Sequence, residues 1–247
     1  MSSLKDLNIE LLPLDITETA SILEAKAIIS ERTGGSLDVL VNNAGIAYAA
    51  SVSDLQMDEV RKLFDVNLFG HMAMVHEFLP LLLAANNACV VQISSLAGMM
   101  PVPFNCAYNA SKAALLSFGD TLRVELAPFG VRVINIAAGN VESNIMKGSP
   151  TSLPTDSIYY AINEEFVRDR IEGFQKGATP TAEFARTVVD ETQKSNPRAW
   201  VYTAKNTWIV WTISTFMGRR GFDRILSDMF GLTKLSKIKE QERRKAH

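Results

Sequence analysis

The sequence predicts an α/β fold, a doubly wound parallel sheet with helices on both faces. Three observations carry that prediction. The segments "LDVLVNN" (37–43), "CVVQIS" (89–94) and "VRVINIA" (131–137) are short, unbroken apolar runs, the pattern of strands buried on both sides. Stretches of 3.6-residue apolar periodicity lie between them. The chain has 247 residues, 47% of them apolar, which suits one domain over 1–247 with a large core. Strand, helix, strand with right-handed crossovers then winds the sheet in both directions.

Each element has its own justification. "NIELL" (8–12) reads as a strand, and residues 17–32 as a helix that stops at Gly34-Gly35. Residues 57–85 repeat apolar side chains at helical spacing (Leu63, Val66, Met74, Phe78, Leu82) up to Asn86-Asn87. Residues 106–127 form the next helix, closed by Pro128 and Gly130. Helical patterns recur near 160–175 and 181–194, and "AWVYT" (199–203) reads as a last strand. Residues 200–247 read as a C-terminal extension, either a lid or a membrane-contact segment. Its stretch "TWIVWTISTFMG" (207–218) is strongly apolar. It is shorter than the roughly 20 residues a spanning helix needs, so it is expected to pack as a helix or lid, or to lie on a lipid surface.

Composition narrows the function. A formal net charge of -2 gives no electrostatic footprint for nucleic acid. Cys89 and Cys106 are too few for a disulfide framework or a cysteine metal site. His71, His76 and His247 show no ligand-like constellation, so no metal is expected. The first residues lack an apolar core of signal-peptide length. A reducing, cytoplasmic setting is expected.

The chemistry gathers at predicted strand ends, where open parallel sheets bind ligands. Tyr108 and Lys112 stand one helical turn apart. A nearby ammonium favours the phenolate and so lowers the tyrosine pKa toward useful general acid–base values. The plainer reading is a helix-surface pair. Ser94-Ser95 ends one strand, and a serine hydroxyl can donate to a carbonyl oxygen. Asn42, Asn43, Ala44 and Gly45 end another and permit close backbone approach. Asn67 is an amide set among Phe64, Val66, Leu68 and Phe69, and needs buried partners of some kind.

The order NNAG (42–45), Asn67, Ser95, Tyr108-x-x-x-Lys112 resembles the short-chain dehydrogenase/reductase family over almost the whole chain. Ser95 precedes Tyr108 by thirteen residues, the usual family spacing. The resemblance implies a Rossmann-like sheet, a nicotinamide cofactor and an Asn67, Ser95, Tyr108, Lys112 active site. Tyr108 would exchange the proton. Lys112 would lower its pKa and hold the nicotinamide ribose. Ser95 would polarise the carbonyl and Asn67 would order a relay water. Asp15, Asn43, Ala44, Gly45, Val141 and Ser143 would contact the cofactor, with Ser143 keeping a hydroxyl where the family has threonine. "AYNASKAAL", "LAPFGVRVINIAAG" and the C-terminal segment are similar to the fungal 1-acyldihydroxyacetone-phosphate reductase branch, neighbour of the 17β-hydroxysteroid dehydrogenases. That implies NADPH, an apolar carbonyl or alcohol substrate of lipid, steroid-like or secondary-metabolite type, and contact with endoplasmic reticulum or lipid-droplet surfaces. Homo-oligomers are the family habit. Leu153, Ile158, Tyr159, Tyr160 and Phe166 are candidate pocket walls, or core.

One family feature is missing. No glycine-rich turn follows a strand and opens a helix, as a phosphate loop must. "RTGGSLD" (32–38) follows a helix instead. By the resemblance the family's first two strands are absent from this stretch, and an N-terminally truncated fold is expected. "NIELL" then either slides in beside "LDVLV" or leaves an apolar sheet edge open. The chain is expected to be a stretch of a longer active enzyme, or a non-catalytic relative.

Overall fold

A computed structural model describes residues 9–203 and 207–246; Asn8, the first residue of the expected first strand, and His247 lie outside them. Helix α1 (Thr19–Thr33) leads to β1 (Val39–Asn42). Then come α2 (Met57–Phe64), a π-helical turn (Asp65–Phe69) and α3 (Gly70–Ala84), which run as one helix. Next are β2 (Cys89–Ser95), α4 (Cys106–Leu126) and β3 (Arg132–Ala138). After a long crossover come α5 (Thr181–Thr192) and β4 (Trp200–Thr203). Helices α6 (Thr207–Phe216), α7 (Asp223–Met229) and α8 (Leu232–Ala246) complete the chain.

The four strands are parallel, in the order β1-β2-β3-β4. One face of the sheet is covered by α1, α3 and α4. Ile22, Met74, Phe78, Leu82, Leu122 and Leu126 pack there on Leu40, Val90 and Val133. On the other face, Val188 of α5 packs on Cys89, Val91, Ile134, Ile136 and Val201. A third cluster joins the long crossover to the C-terminal helices through Phe104, Leu153, Ile162, Phe166, Phe222 and Phe230. The segment 57–84 is long and apolar enough to cross a bilayer, yet half of its most apolar window is buried against the rest of the protein.

The helix stop is as the glycines require. Gly34 takes φ 68°, and the Gly35 N–H donates to the Ser30 carbonyl at 2.8 Å, closing α1 as a left-handed cap. The expected first strand is not there. Residues 9–12 form no strand, and Ile9 is largely exposed. Ile16 instead packs against the α1–α3 layer, so the segment is held by the helices rather than by the sheet. Among the described residues no strand pairs with the outer edge of β1, and Val39 and Val41 are exposed beside it. Of the two outcomes expected for this segment, the open edge is the one found.

Candidate functional site

The candidate site lies at the carboxyl ends of β1 and β2, where α4 begins. The turn after β2 presses on α4. A Cβ at Gly98 would come within 2.9 Å of the backbone of Lys112 and Ala113, so only glycine lets strand end and helix meet at this distance. The Ser94 hydroxyl donates to the Lys112 carbonyl at 2.9 Å. Beside it, the Ser95 hydroxyl accepts from the Ala97 N–H at 3.1 Å and caps the turn.

Lys112 is buried, and its ammonium donates to the Ile93 carbonyl at 3.0 Å. Burial brings its pKa down to about 8. It stands over the Tyr108 ring, 5.9 Å from the centroid. The expected electrostatics differ here. Burial raises the Tyr108 pKa, against the Ser95 hydroxyl and the Arg170 charge, which lower it. Lys112 sits over the ring face rather than at the hydroxyl, so the cation that acts on the phenol is Arg170.

Asn67 lies in the π-helical turn, fully buried. Such one-residue irregularities in helices recur at functional sites. Its amide accepts from the Ile46 N–H and donates to the Ile46 carbonyl, both at 2.9 Å, and donates to the Ser111 hydroxyl at 3.2 Å. It thereby fixes the loop that carries Asn43, Ala44 and Gly45. A Cβ on Gly45 would sit 3.4 Å from Asn67 Oδ1 and 3.6 Å from Lys112 Nζ, so the loop, the amide and the ammonium converge.

Sequence reasoning passed over His71. It is fully buried, and its Nε2 donates to the Ala44 carbonyl at 2.8 Å. Burial, helped by the Lys112 charge, drives its pKa down to about 4, so it is neutral at ordinary pH; its bond to Ala44 and the nearby Gln92 amide only partly oppose this. His71 Nδ1 and Gln92 Nε2 are both buried without a hydrogen-bond partner. Asn42 Nδ2 donates to Gln92 Oε1 at 3.2 Å and to the His71 carbonyl at 3.3 Å. Only the burial of a histidine next to the NNAG loop reveals this network.

The remaining expected residues are placed as follows. Asn43 and Ala44 are exposed on the β1 loop. Val141 bridges to Thr179, and Ser143 is exposed with its carbonyl accepting from Gln175. Asp15 is exposed, and its carboxylate accepts from the Thr17 N–H and hydroxyl at the start of α1. Leu153 and Phe166 are core and Tyr159 packs edge-on against Phe104, whereas Ile158 and Tyr160 face solvent. A surface depression of about 850 Å³ lies beside Trp200 on the face of α4 opposite Tyr108, and takes no part in this cluster.

The residues fit the nicotinamide end of a dinucleotide. Gly45 leaves a cradle that a Cβ would fill, and Lys112 has donors to spare beyond its one bond to Ile93. The described residues contain no strand, glycine turn and helix to hold the diphosphate.

A parallel α/β sheet with this Asn, Ser, Tyr and Lys cluster at its strand ends defines a nicotinamide-dependent oxidoreductase. The chain belongs to the short chain dehydrogenases, whose family model matches residues 1–153. It is 40% identical over 233 residues to the short-chain dehydrogenase srdE of Neurospora crassa, covering 94% of this chain and 80% of that protein. It is 38% identical over 193 residues to an NADPH-dependent 1-acyldihydroxyacetone phosphate reductase of Schizosaccharomyces pombe, covering 73% of this chain and 65% of that one. A Streptomyces avermitilis short-chain dehydrogenase structure superposes with a TM-score of 0.72 at 25% identity, covering 92% of this chain and 79% of that one.

Proposed function

We propose that the protein interconverts a ketone and a secondary alcohol on an apolar substrate, using NADP(H). The observation that carries this reading is the convergence of Gly45, Asn67 and Lys112 beside Tyr108 at the strand ends. NADPH, when bound, supplies the hydride. Lys112 would hold its ribose, and Asp15, Asn43, Ala44, Gly45, Val141 and Ser143 would line it. NADPH is favoured over NADH by the name of the Schizosaccharomyces relative and by the NADPH-bound chicken carbonyl reductase, whose structure superposes with a TM-score of 0.55 at 28% identity over 58% of this chain and 63% of that one.

The residues do the rest. Burial keeps the Tyr108 phenol protonated, the state that donates to a carbonyl oxygen as it gains charge. Ser95, at the end of β2, would donate to the same oxygen. Asn67 holds the loop through Ile46, and would order a relay water beside it. The test is an NADPH titration of this chain, followed by cofactor fluorescence and thermal shift, then turnover of Tyr108→Phe. Saturable binding, with turnover lost only in the variant, is the expected result; normal turnover in the variant would remove Tyr108 from the mechanism.

A second reading rests on the open β1 edge among the described residues and makes the chain a non-catalytic relative; a folded protein that ignores NADPH would support it. Contact with a lipid surface at the endoplasmic reticulum or a lipid droplet is compatible with both. Its support is the exposure of Trp208, Trp211, Phe216 and Met217 along and just after α6, an apolar strip of the kind that lies in a membrane interface. Flotation with vesicles, lost in Trp208→Ser/Trp211→Ser, tests it.

A further inference from the structure

Arg170 is a guanidinium taken out of water. It lies in the π-helical run Phe166–Glu172 of the long crossover and is 6% exposed. It makes no salt bridge among the described residues. Arg168 holds Asp169, Glu165 turns one oxygen to Lys234 at 2.8 Å and buries the other without a partner, and Glu164 and Glu172 are exposed. Burial lowers the Arg170 pKa to about 10, and the group that opposes this is Tyr108. Arg170 is therefore charged at neutral pH. An apolar side chain would avoid the cost of burying that charge, so the charge itself asks for an explanation.

The contacts of Arg170 lead to the start of α4. Its Nη2 donates to Asn105 Oδ1 at 2.6 Å. Asn105 is the residue preceding α4, three before Tyr108. It donates through Nδ2 to Asn109 Oδ1 at 2.9 Å, and Asn109 in turn donates to the Val102 carbonyl at 2.9 Å. The Asn109 N–H donates to the Asn105 carbonyl at 2.8 Å, so the first turn of α4 closes between these two amides. Phe104, the adjacent residue, takes φ 58°, a left-handed conformation that is costly for a phenylalanine and persists only where its surroundings hold it. Its carbonyl accepts from the Ala50 N–H at 3.0 Å. The entry to α4 is thus held from two sides, by the loop after β1 and by Arg170.

Tyr108 is carried on that first turn. The polar groups that face it are Ser95 from the end of β2, Lys112 from α4, Arg170 from the crossover and Tyr48 from the loop after β1. Ala50 and Leu63 complete its surroundings with apolar contacts. Lys112 lies over the ring face, 5.9 Å from the centroid.

We propose that Arg170 is a positioning residue for the proton transfer: it fixes the first turn of α4 through Asn105 and brings a positive charge to the Tyr108 phenol. This deepens the carbonyl reading above and rests on it for the reaction that Tyr108 serves. In reduction the phenol O–H breaks, the proton goes to the substrate oxygen and a phenolate is left; a nearby cation stabilises that phenolate. Without Arg170 the phenol keeps its proton to higher pH and gives it up less readily.

The test replaces tyrosine throughout by 3,5-difluorotyrosine, whose phenol ionises near neutral pH, and follows the fluorine resonances from pH 5 to 10. The resonance missing in Tyr108→Phe belongs to Tyr108, and its midpoint needs neither cofactor nor turnover. Arg170→Met should move that midpoint to higher pH. Arg170→Lys should stay near wild type, and Asn105→Ala should move it in the same direction as Arg170→Met but less far. With NADPH and 2-decanone, Arg170→Met should lower kcat about tenfold and leave KM nearly unchanged, the mark of an interaction made in the transition state. An unmoved midpoint in folded Arg170→Met overturns the proposal, as does Arg170→Lys moving it as far as Arg170→Met, which would make shape and not charge the cause. If Arg170→Met does not fold, Asn105→Ala decides, and an unmoved midpoint there overturns the proposal. Midpoints that move as expected in a protein that neither binds nor oxidises NADPH would sink the carbonyl-reductase reading and leave the hold of Arg170 on the Tyr108 proton standing. Turnover of 2-decanone with unmoved midpoints would do the reverse.

Discussion

Asn67 grips the backbone of Ile46 at both of its polar atoms, accepting from its N–H and donating to its carbonyl, each at 2.9 Å. The residue sits where the 57–84 helix opens into a π turn, and that turn aims the amide at the loop after β1. Replacing Asn67 by leucine keeps the volume and removes these two bonds, together with the one to Ser111. Asn67→Leu should lower stability by about 2 kcal/mol, since each lost bond also strands a polar partner. NADPH affinity should fall with it, because Gly45 loses its support. Urea unfolding and an NADPH titration check both, and wild-type values in each would show that the loop stands without Asn67.

His71 is the second support of the same loop, one turn after Asn67, through its bond to the Ala44 carbonyl. With its pKa lowered to about 4 by burial and by Lys112, it contributes stability fully above the unfolded histidine value near 6.5. That contribution drains away as pH falls through 6.5 toward 4, because the unfolded chain takes up the proton first. His71→Phe should remove this part of the acid sensitivity and weaken NADPH binding at pH 7.5. Melting temperatures from pH 4 to 8 for the two proteins would settle it; parallel curves would mean His71 does not titrate as its burial dictates.

Lys112 gives a limb on the alkaline side. Its ammonium is charged below about pH 8 and loses the proton above it, so the proposed turnover should decline above that pH. Lys112→Met should abolish turnover while leaving the melting temperature unchanged or higher, because it removes a buried charge. Turnover that stays flat to pH 9.5 in wild type would show that Lys112 is not needed in its charged form.

Why some of this was legible in the sequence is a matter of range. The strands 89–95 and 132–138 and the helix 106–126 follow their apolar patterns within a residue or two, since each is buried along its length and local pattern decides it. Tyr108 and Lys112 were legible because a helix fixes their spacing. "NIELL" failed because an apolar run becomes a strand only beside a partner strand, and the described residues hold none at the β1 edge. Ile16 docks on α1 and α3 instead. Arg170 and His71 could not be read from the chain. Their roles arise from contacts with Asn105, 65 residues away, and Ala44, 27 residues away, and no local spacing encodes such pairs.

Glu191 tests the far side of the molecule. It is 1% exposed at the end of α5 and is the one fully buried acid among the described residues. Burial alone would raise its pKa. The hydrogen bonds from the Arg198 side chain and N–H and from Lys194 prevail and bring it down to about 2. Arg198 reaches it at 2.9 Å through Nη2 and at 2.7 Å through its backbone, and Lys194 at 2.6 Å. The carboxylate thus ties α5 to the loop that enters β4. Because the folded pKa lies below the unfolded value, its stabilisation is full above about pH 4.5 and disappears as pH falls toward 2. Glu191→Gln keeps the shape and removes the charge. It should cost about 1–2 kcal/mol at pH 7, discounted for the solvent that screens the two exposed cations. The gap between variant and wild type should close as the pH approaches 2, where both carry a neutral side chain. Urea unfolding at pH 7, 4 and 2.5 measures it. A gap that persists unchanged at pH 2.5 would mean that the lost stability comes from shape rather than from the charge on Glu191.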